Sequence, residues 1–111
     1  MIKKTLKENY KTRDITGGVY RLKCSGNGMF WLRSAKELDK ALNRFQFFVK
    51  TNSHPEPVMK QAWQTYGAES FSFEILETLE KKETQTDLEY REDIKVLLEL
   101  WTEKLASSPN P

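Results

Sequence analysis

At 111 residues, with 38% hydrophobic and 31% charged side chains, the chain has the length of one domain and the composition of an ordinary globular one. It has no apolar run near the ~18 residues a membrane span needs, no apolar signal core at its basic N-terminus, and one cysteine, Cys24. These features exclude a membrane-spanning helix, a secretory signal and an internal disulfide framework, and point to a reducing, cytoplasmic setting. The net charge of +2 conceals an asymmetry: residues 1–66 hold 13 Lys/Arg against 5 Asp/Glu, whereas residues 67–111 hold 5 against 11. The basic half suits phosphates, and it equally suits the acidic half of its own fold.

Residues 1–14 carry few apolar side chains and read as a loose basic leader, ahead of a single domain at 15–105. In VYRLKC (19–24), Val19, Arg21 and Lys23 alternate with Tyr20, Leu22 and Cys24, the pattern of a half-buried strand. SGNG (25–28) is a turn signal and MFWL (29–32) a second strand, so the two make a hairpin. Ser34 and Glu37 have the spacing of a capping box, and Leu38, Ala41, Leu42, Phe45, Phe48 and Val49 then mark one apolar helix face.

TNSHPEP (51–57) ends that helix; Pro57 opens a second one through VMKQAWQTY, and Gly67 closes it. Phe71, Phe73 and Ile75 alternate with Ser72 and Glu74 in a third strand. A polar linker, EKKETQT (80–86), leads to a helix from Asp87 with Tyr90, Ile94, Leu97, Leu98, Trp101 and Leu105 along one side. Residues 106–111 read as a disordered tail. The order β-β-α-α-β-α predicts an α+β domain, a small three-stranded antiparallel sheet flanked by helices.

Two stretches, GVYRLKCSGNGMFWLRSAKELDKALNRF and QAWQTYGAESFSFEIL, together resemble the GIY-YIG nuclease superfamily, in particular its homing-endonuclease-like members. Gly18-Val19-Tyr20 stands for the first signature triplet, Trp31-Leu32-Arg33 for the second, and Ser34 follows in its expected place. The resemblance covers roughly residues 17–105. It implies hydrolysis of a phosphodiester by a metal-activated water. Two signature tyrosines would flank water and phosphate, a helix arginine would stabilise the phosphate, and a glutamate on a later helix would hold Mg²⁺ or Mn²⁺.

Against that pattern only Tyr20 is kept. Trp31 replaces the second phenol, and an indole N–H donates a hydrogen bond but cannot act as a base. Arg33 replaces the signature glycine. An ungapped count puts the catalytic arginine at Ala41 and the residue four further on, often His or Tyr, at Phe45. Loss of one such electrostatic contact commonly removes about 10²–10³-fold in rate. For the metal-binding carboxylate the sequence leaves Glu99 and Glu92 open, with Leu98 at the position one alignment gives it.

Other readings of the same residues are plainer. Ala41 and Phe45 complete an apolar helix stripe, Trp31 packs in a core or offers a stacking platform, and Tyr20 caps a core. His54 is a solvated loop residue and Cys24 a small core residue. Arg33, Lys36, Lys40 and Arg44, with Lys23 and Lys50, would form a phosphate-facing rim. Arg33 either projects beside a phosphate or pairs with a carboxylate of the acidic C-terminal helix. The expectation is a catalytically degenerate domain that binds DNA weakly and salt-dependently, with no cofactor. A protein-interaction or regulatory module and a residual metal-dependent endonuclease are the alternatives.

Overall fold

Strand β1 (Thr16–Cys24) is the centre of the sheet, with antiparallel partners along both edges. β2 (Phe30–Ala35) lies on one side and β3 (Phe71–Glu80) on the other. The computed structural model describes residues 16–106. The expected leader at 1–14, and the expected tail from 107 onward, lie outside the described residues; Ala106 is the last residue of a helix.

Helix α1 (Leu38–Thr51) follows the hairpin. A 3₁₀ turn at Pro57–Met59 leads into α2 (Lys60–Tyr66), a second 3₁₀ turn at Ala68–Ser70 leads into β3, and α3 (Asp87–Ala106) ends the described chain. This is the expected β-β-α-α-β-α order.

Both faces of the sheet are covered, so β1 is more deeply set than the half-buried strand its alternation suggests. On one face Leu22 and Cys24 join Met59, Ala62, Trp63, Ala68 and Phe71 in a buried apolar cluster, with Tyr20, Trp31, Phe45, Phe48, Val49 and Phe73 packed around it. On the other, Val19 is fully buried beneath α3, whose own buried residues are Tyr90 and Ile94. Trp101 on α3 donates to Glu77, the cross-strand partner of Val19, at 2.8 Å.

The pairing of β1 with β3 slips between Val19 and Tyr20, which face Glu77 and Ile75 and leave Leu76 as the extra residue of a bulge. Gly18 makes that geometry possible. Its φ is 151°, and a Cβ there would collide with the carbonyl oxygen of Glu77.

The start of α1 differs from the expected one. Ser34 does not cap α1; it remains in β2 paired with Val19, and the N-cap is Glu37, which makes no side-chain capping bond. The strand continues through 34 and 35, paired with Val19 and Gly18, so the S-x-x-E spacing has no helix end to serve. A capping box does exist at the start of α3. The Thr86 hydroxyl accepts from Glu89 N–H at 3.0 Å, and the Glu89 carboxylate accepts from Thr86 N–H at 2.9 Å. The end of α1 is set by Asn52 in the left-handed conformation (φ 57°), whose amide oxygen also accepts from Trp63 Nε1 at 3.2 Å, tying α1 to α2.

Candidate functional site

Alternation along β1 aims Tyr20 into the space between the sheet and α1. There it lines one cleft with Ala41, Arg44, Phe45, Phe48, Pro55, Glu56 and Phe73. A neighbouring cleft adds Ser34, Lys36, Glu37 and Lys40. The helical repeat of α1 explains the lining: 41, 44, 45 and 48 lie three and four apart, on the face turned to the sheet. The two clefts meet at Tyr20, Ala41 and Arg44, and together form the candidate site.

The Tyr20 ring stacks on Phe73 with centroids 4.4 Å apart, and Phe45 tilts against Phe73 at 5.9 Å. Burial is the main reason the Tyr20 hydroxyl ionises above the usual phenol range. The nearby Glu56 carboxylate pushes the same way, and Arg33 and Arg44 oppose it. At neutral pH the group is therefore a neutral hydrogen-bonding phenol.

Arg33 sits directly across the β1–β2 pair from Tyr20. Its guanidinium is held by Glu56 through Nε to Oε2 at 2.9 Å and Nη2 to Oε1 at 2.6 Å, and Nη1 donates to its neighbour's carbonyl, Leu32 O, at 2.6 Å. The fork-on-fork bonding holds the Glu56 carboxyl below, and the Arg33 guanidinium above, their ordinary values. Arg33 therefore does pair with a carboxylate, but the partner lies in the 52–57 connection and not on the C-terminal helix. Sequence reasoning missed Glu56. The signal was present: it is the only acidic residue between Asp39 and Glu69, and it stands between Pro55 and Pro57.

The other rim residues are partly engaged. Lys36 reaches Asp87 at 3.3 Å and Lys40 reaches Glu37 at 3.5 Å, both on exposed side chains where such pairs contribute little. Arg44 is exposed and has no ion pair or hydrogen bond among the described residues. Of Arg33, Lys36, Lys40 and Arg44, it is the one left open among the described residues.

Trp31 stacks on Phe71 at 5.8 Å with 13° between the planes, which makes it a wall of the apolar cluster. It lines neither cleft at Tyr20. Ala41 and Phe45 do line the first cleft, facing Tyr20 with a methyl and a benzyl group. His54 and the buried Cys24 are not part of it.

Three-dimensional likeness agrees with the pattern of the triplets. The chain superposes on the catalytic domain of the homing endonuclease I-TevI with a TM-score of 0.55 and 24% identity, covering 85% of this chain and 92% of that one. The fold is that of the GIY-YIG nucleases. A mutant form of the same intron endonuclease domain gives a TM-score of 0.60 and 20% identity over 84% of this chain and 87% of that one. No family model matches the sequence, and no curated protein does.

A GIY-YIG fold implies a divalent ion, and the donor set around Tyr20 does not fit one. Among the described residues no three His, Cys, Asp or Glu side chains come together. Magnesium needs carboxylate oxygens free to bind it. Both oxygens of Glu56 are bonded to Arg33, and Glu37 faces Lys40. Glu92 and Glu99 are exposed on α3, and neither they nor Leu98 line the Tyr20 clefts. Among the side chains that α3 sends toward the sheet is Tyr90. Its hydroxyl donates to Leu79 O at 2.6 Å and also lies 3.3 Å from Lys36 O, where Gly17 leaves it room.

Proposed function

We propose that this chain is a non-catalytic nucleic-acid-binding domain with a GIY-YIG nuclease fold. The observation that carries the reading is the composition of the cleft: a neutral phenol, an open Arg44 and a cationic rim remain, while positions 41 and 45 present only apolar groups to Tyr20. Such a cleft attracts a phosphate backbone through charge. Its carboxylates, Glu56 and Glu37, face Arg33 and Lys40, and positions 41 and 45 supply no group to activate water. The neighbouring structures are catalytic domains of a homing endonuclease, which supports nucleic acid as the partner class. DNA is the partner chosen for the test.

The experiment is a gel shift on single-stranded, duplex and branched DNA across a salt series, run beside a cleavage assay with and without magnesium or manganese. Retention at low salt that fades steeply as salt rises, with no cutting, supports the reading. Metal-dependent cutting overturns it in favour of a residual endonuclease.

A protein-interaction module is the second reading, favoured by a different observation. Leu88, Val96 and Leu100 on α3 are 65%, 50% and 56% exposed, three apolar side chains set among exposed glutamates on the outer side of a helix whose inner side already packs on the sheet. Absence of DNA retention at low ionic strength selects it. No helix among the described residues is long and apolar enough to cross a membrane.

A further inference from the structure

Glu56 is held in place more firmly than a surface glutamate needs to be. Pro55 and Pro57 restrict the backbone on either side of it, and its own backbone is extended (φ −142°, ψ 150°), as a residue before proline must be. Its carbonyl accepts from Met59 N–H at 2.9 Å, and Met59 is fully buried in the apolar cluster. The backbone at 56 is therefore anchored to the core, and only the side chain is free to rotate.

That side chain presents two oxygens to Arg33 in the manner in which a phosphate presents two of its own. It does so from the wall of the cleft that also holds Tyr20 and Arg44. The two side chains are each 35% exposed, so water reaches the pair and screens it, and an incoming anion can compete for the guanidinium.

From this geometry we infer that Glu56 is an internal stand-in for phosphate, occupying Arg33 in the free protein and yielding it to a phosphodiester when nucleic acid enters the cleft. The inference rests on the nucleic-acid reading above. The exchange needs rotation of one carboxylate and no movement of the loop. Binding then recruits Arg33 alongside Arg44, and Glu56 sets a threshold that weaker anions do not cross. The position where the signature carries glycine has thus become one half of a displaceable ion pair.

The test uses the full chain, a fluorescein-labelled single strand and the matching duplex, at low and at moderate salt. Glu56→Gln keeps an oxygen for Arg33 and removes the competing charge. It is expected to tighten binding roughly two- to fivefold, the worth of a partly exposed ion pair. The salt slope should stay close to that of the parent, because Arg33 reaches a phosphate in both complexes and the substitution removes only the competition for it.

Glu83→Gln, in the exposed linker, controls for net charge. The double variant Arg33→Gln/Glu56→Gln should lose the gain, because the freed partner is gone. Glu56→Asp, too short to hold Arg33 in the same way, gives the same direction if the glutamine variant folds poorly. A gain no larger than that of Glu83→Gln, or one that survives in the double variant, overturns the inference while leaving the nucleic-acid reading in place. Absence of binding by every variant at low salt overturns both.

Discussion

Tyr20 and Phe73 stack at 4.4 Å with 17° between their rings, so the one signature phenol kept in the cleft is also part of the wall of the core. Its ring serves packing and its hydroxyl serves the site, and substitutions separate the two. Tyr20→Phe keeps the ring and should leave thermal stability nearly unchanged. Tyr20→Ala opens a hole beside Phe73 and Phe45 and should cost about 2–4 kcal/mol, toward the lower end of aromatic truncations because the residue is only half-buried. Urea melts of the two variants check this. Equal losses from both would mean that the hydroxyl, and not the ring, carries the stability.

The same hydroxyl gives an alkaline prediction. The Tyr20 and Tyr90 phenols both ionise above the ordinary value of 10.0 in the folded protein, chiefly because of burial. Above that pH the unfolded chain releases protons that the folded chain still binds. Stability should therefore be fully present below pH ~10 and fall as pH rises through the folded values. Glu56 works at the other end, its folded pKa lying below 4.5 because of Arg33; its contribution should persist above that pH and be lost as pH falls through the folded value. Chemical melts against pH, repeated with Tyr90→Phe and Glu56→Gln, should show a flatter alkaline limb in the first and a flatter acid limb in the second.

Tyr90 should prove to be the most sensitive residue of α3. It is fully buried, and its hydroxyl donates to Leu79 O across the layers of the fold. Tyr90→Phe leaves that carbonyl without its donor and should destabilise by about 1–2 kcal/mol. Gly17→Ala should be worse, since the added methyl meets the Tyr90 hydroxyl at 2.6 Å and the carbonyl oxygens of residues 35 and 36. Thermal melts that leave both variants at the parent value would contradict this packing.

Much of this arrangement was legible in the chain itself. Period-two alternation in 19–24 and 71–75, and three-four spacing from Leu38 to Val49, depend on which side chains avoid water, so they can be read locally. The start of α1 could not be read in that way. S-x-x-E spacing is necessary for a capping box, but the pairing of Ser34 with Val19, fifteen positions earlier in the chain, decides that the strand continues. The partner of Arg33 was hidden for a similar reason. Its carboxylate is 23 residues away, and only the fold brings the 52–57 connection over the sheet. The retained Tyr20 and the apolar Ala41 and Phe45 were visible by count, whereas the difference between a paired Arg33 and an open Arg44 is a fact of side-chain geometry.

Divalent ions should not stabilise the fold. A ligand that binds the native state alone raises stability by mass action, so an intact metal site would announce itself in a melt. With both Glu56 oxygens taken by Arg33, scans in excess EDTA and in millimolar magnesium or manganese should coincide. An upward shift with metal that disappears in Glu92→Gln or Glu99→Gln would restore one of those carboxylates to the role the resemblance implies.

Arg44 is the residue on which DNA binding should depend most. Arg33 starts out committed to Glu56, Lys36 and Lys40 face Asp87 and Glu37, and Arg44 stands open beside Tyr20. Reversing its charge, Arg44→Glu, both removes a phosphate contact and places a repelling carboxylate in the cleft. Retention on single-stranded and duplex DNA at low salt should be lost or nearly so, and Arg44→Gln should lower the salt slope by about one. The fold should tolerate either change, because the side chain is exposed and is not part of an ion pair to be broken among the described residues. Lys95→Glu, an equal charge change on the exposed side of α3, is the control and should act only through net charge. Arg33→Glu should behave differently from Arg44→Glu, since it sets two carboxylates against each other at position 56 and so lowers the melting temperature as well. If Arg44→Glu and Lys95→Glu weaken DNA binding equally, the cleft at Tyr20 is not where the nucleic acid lies.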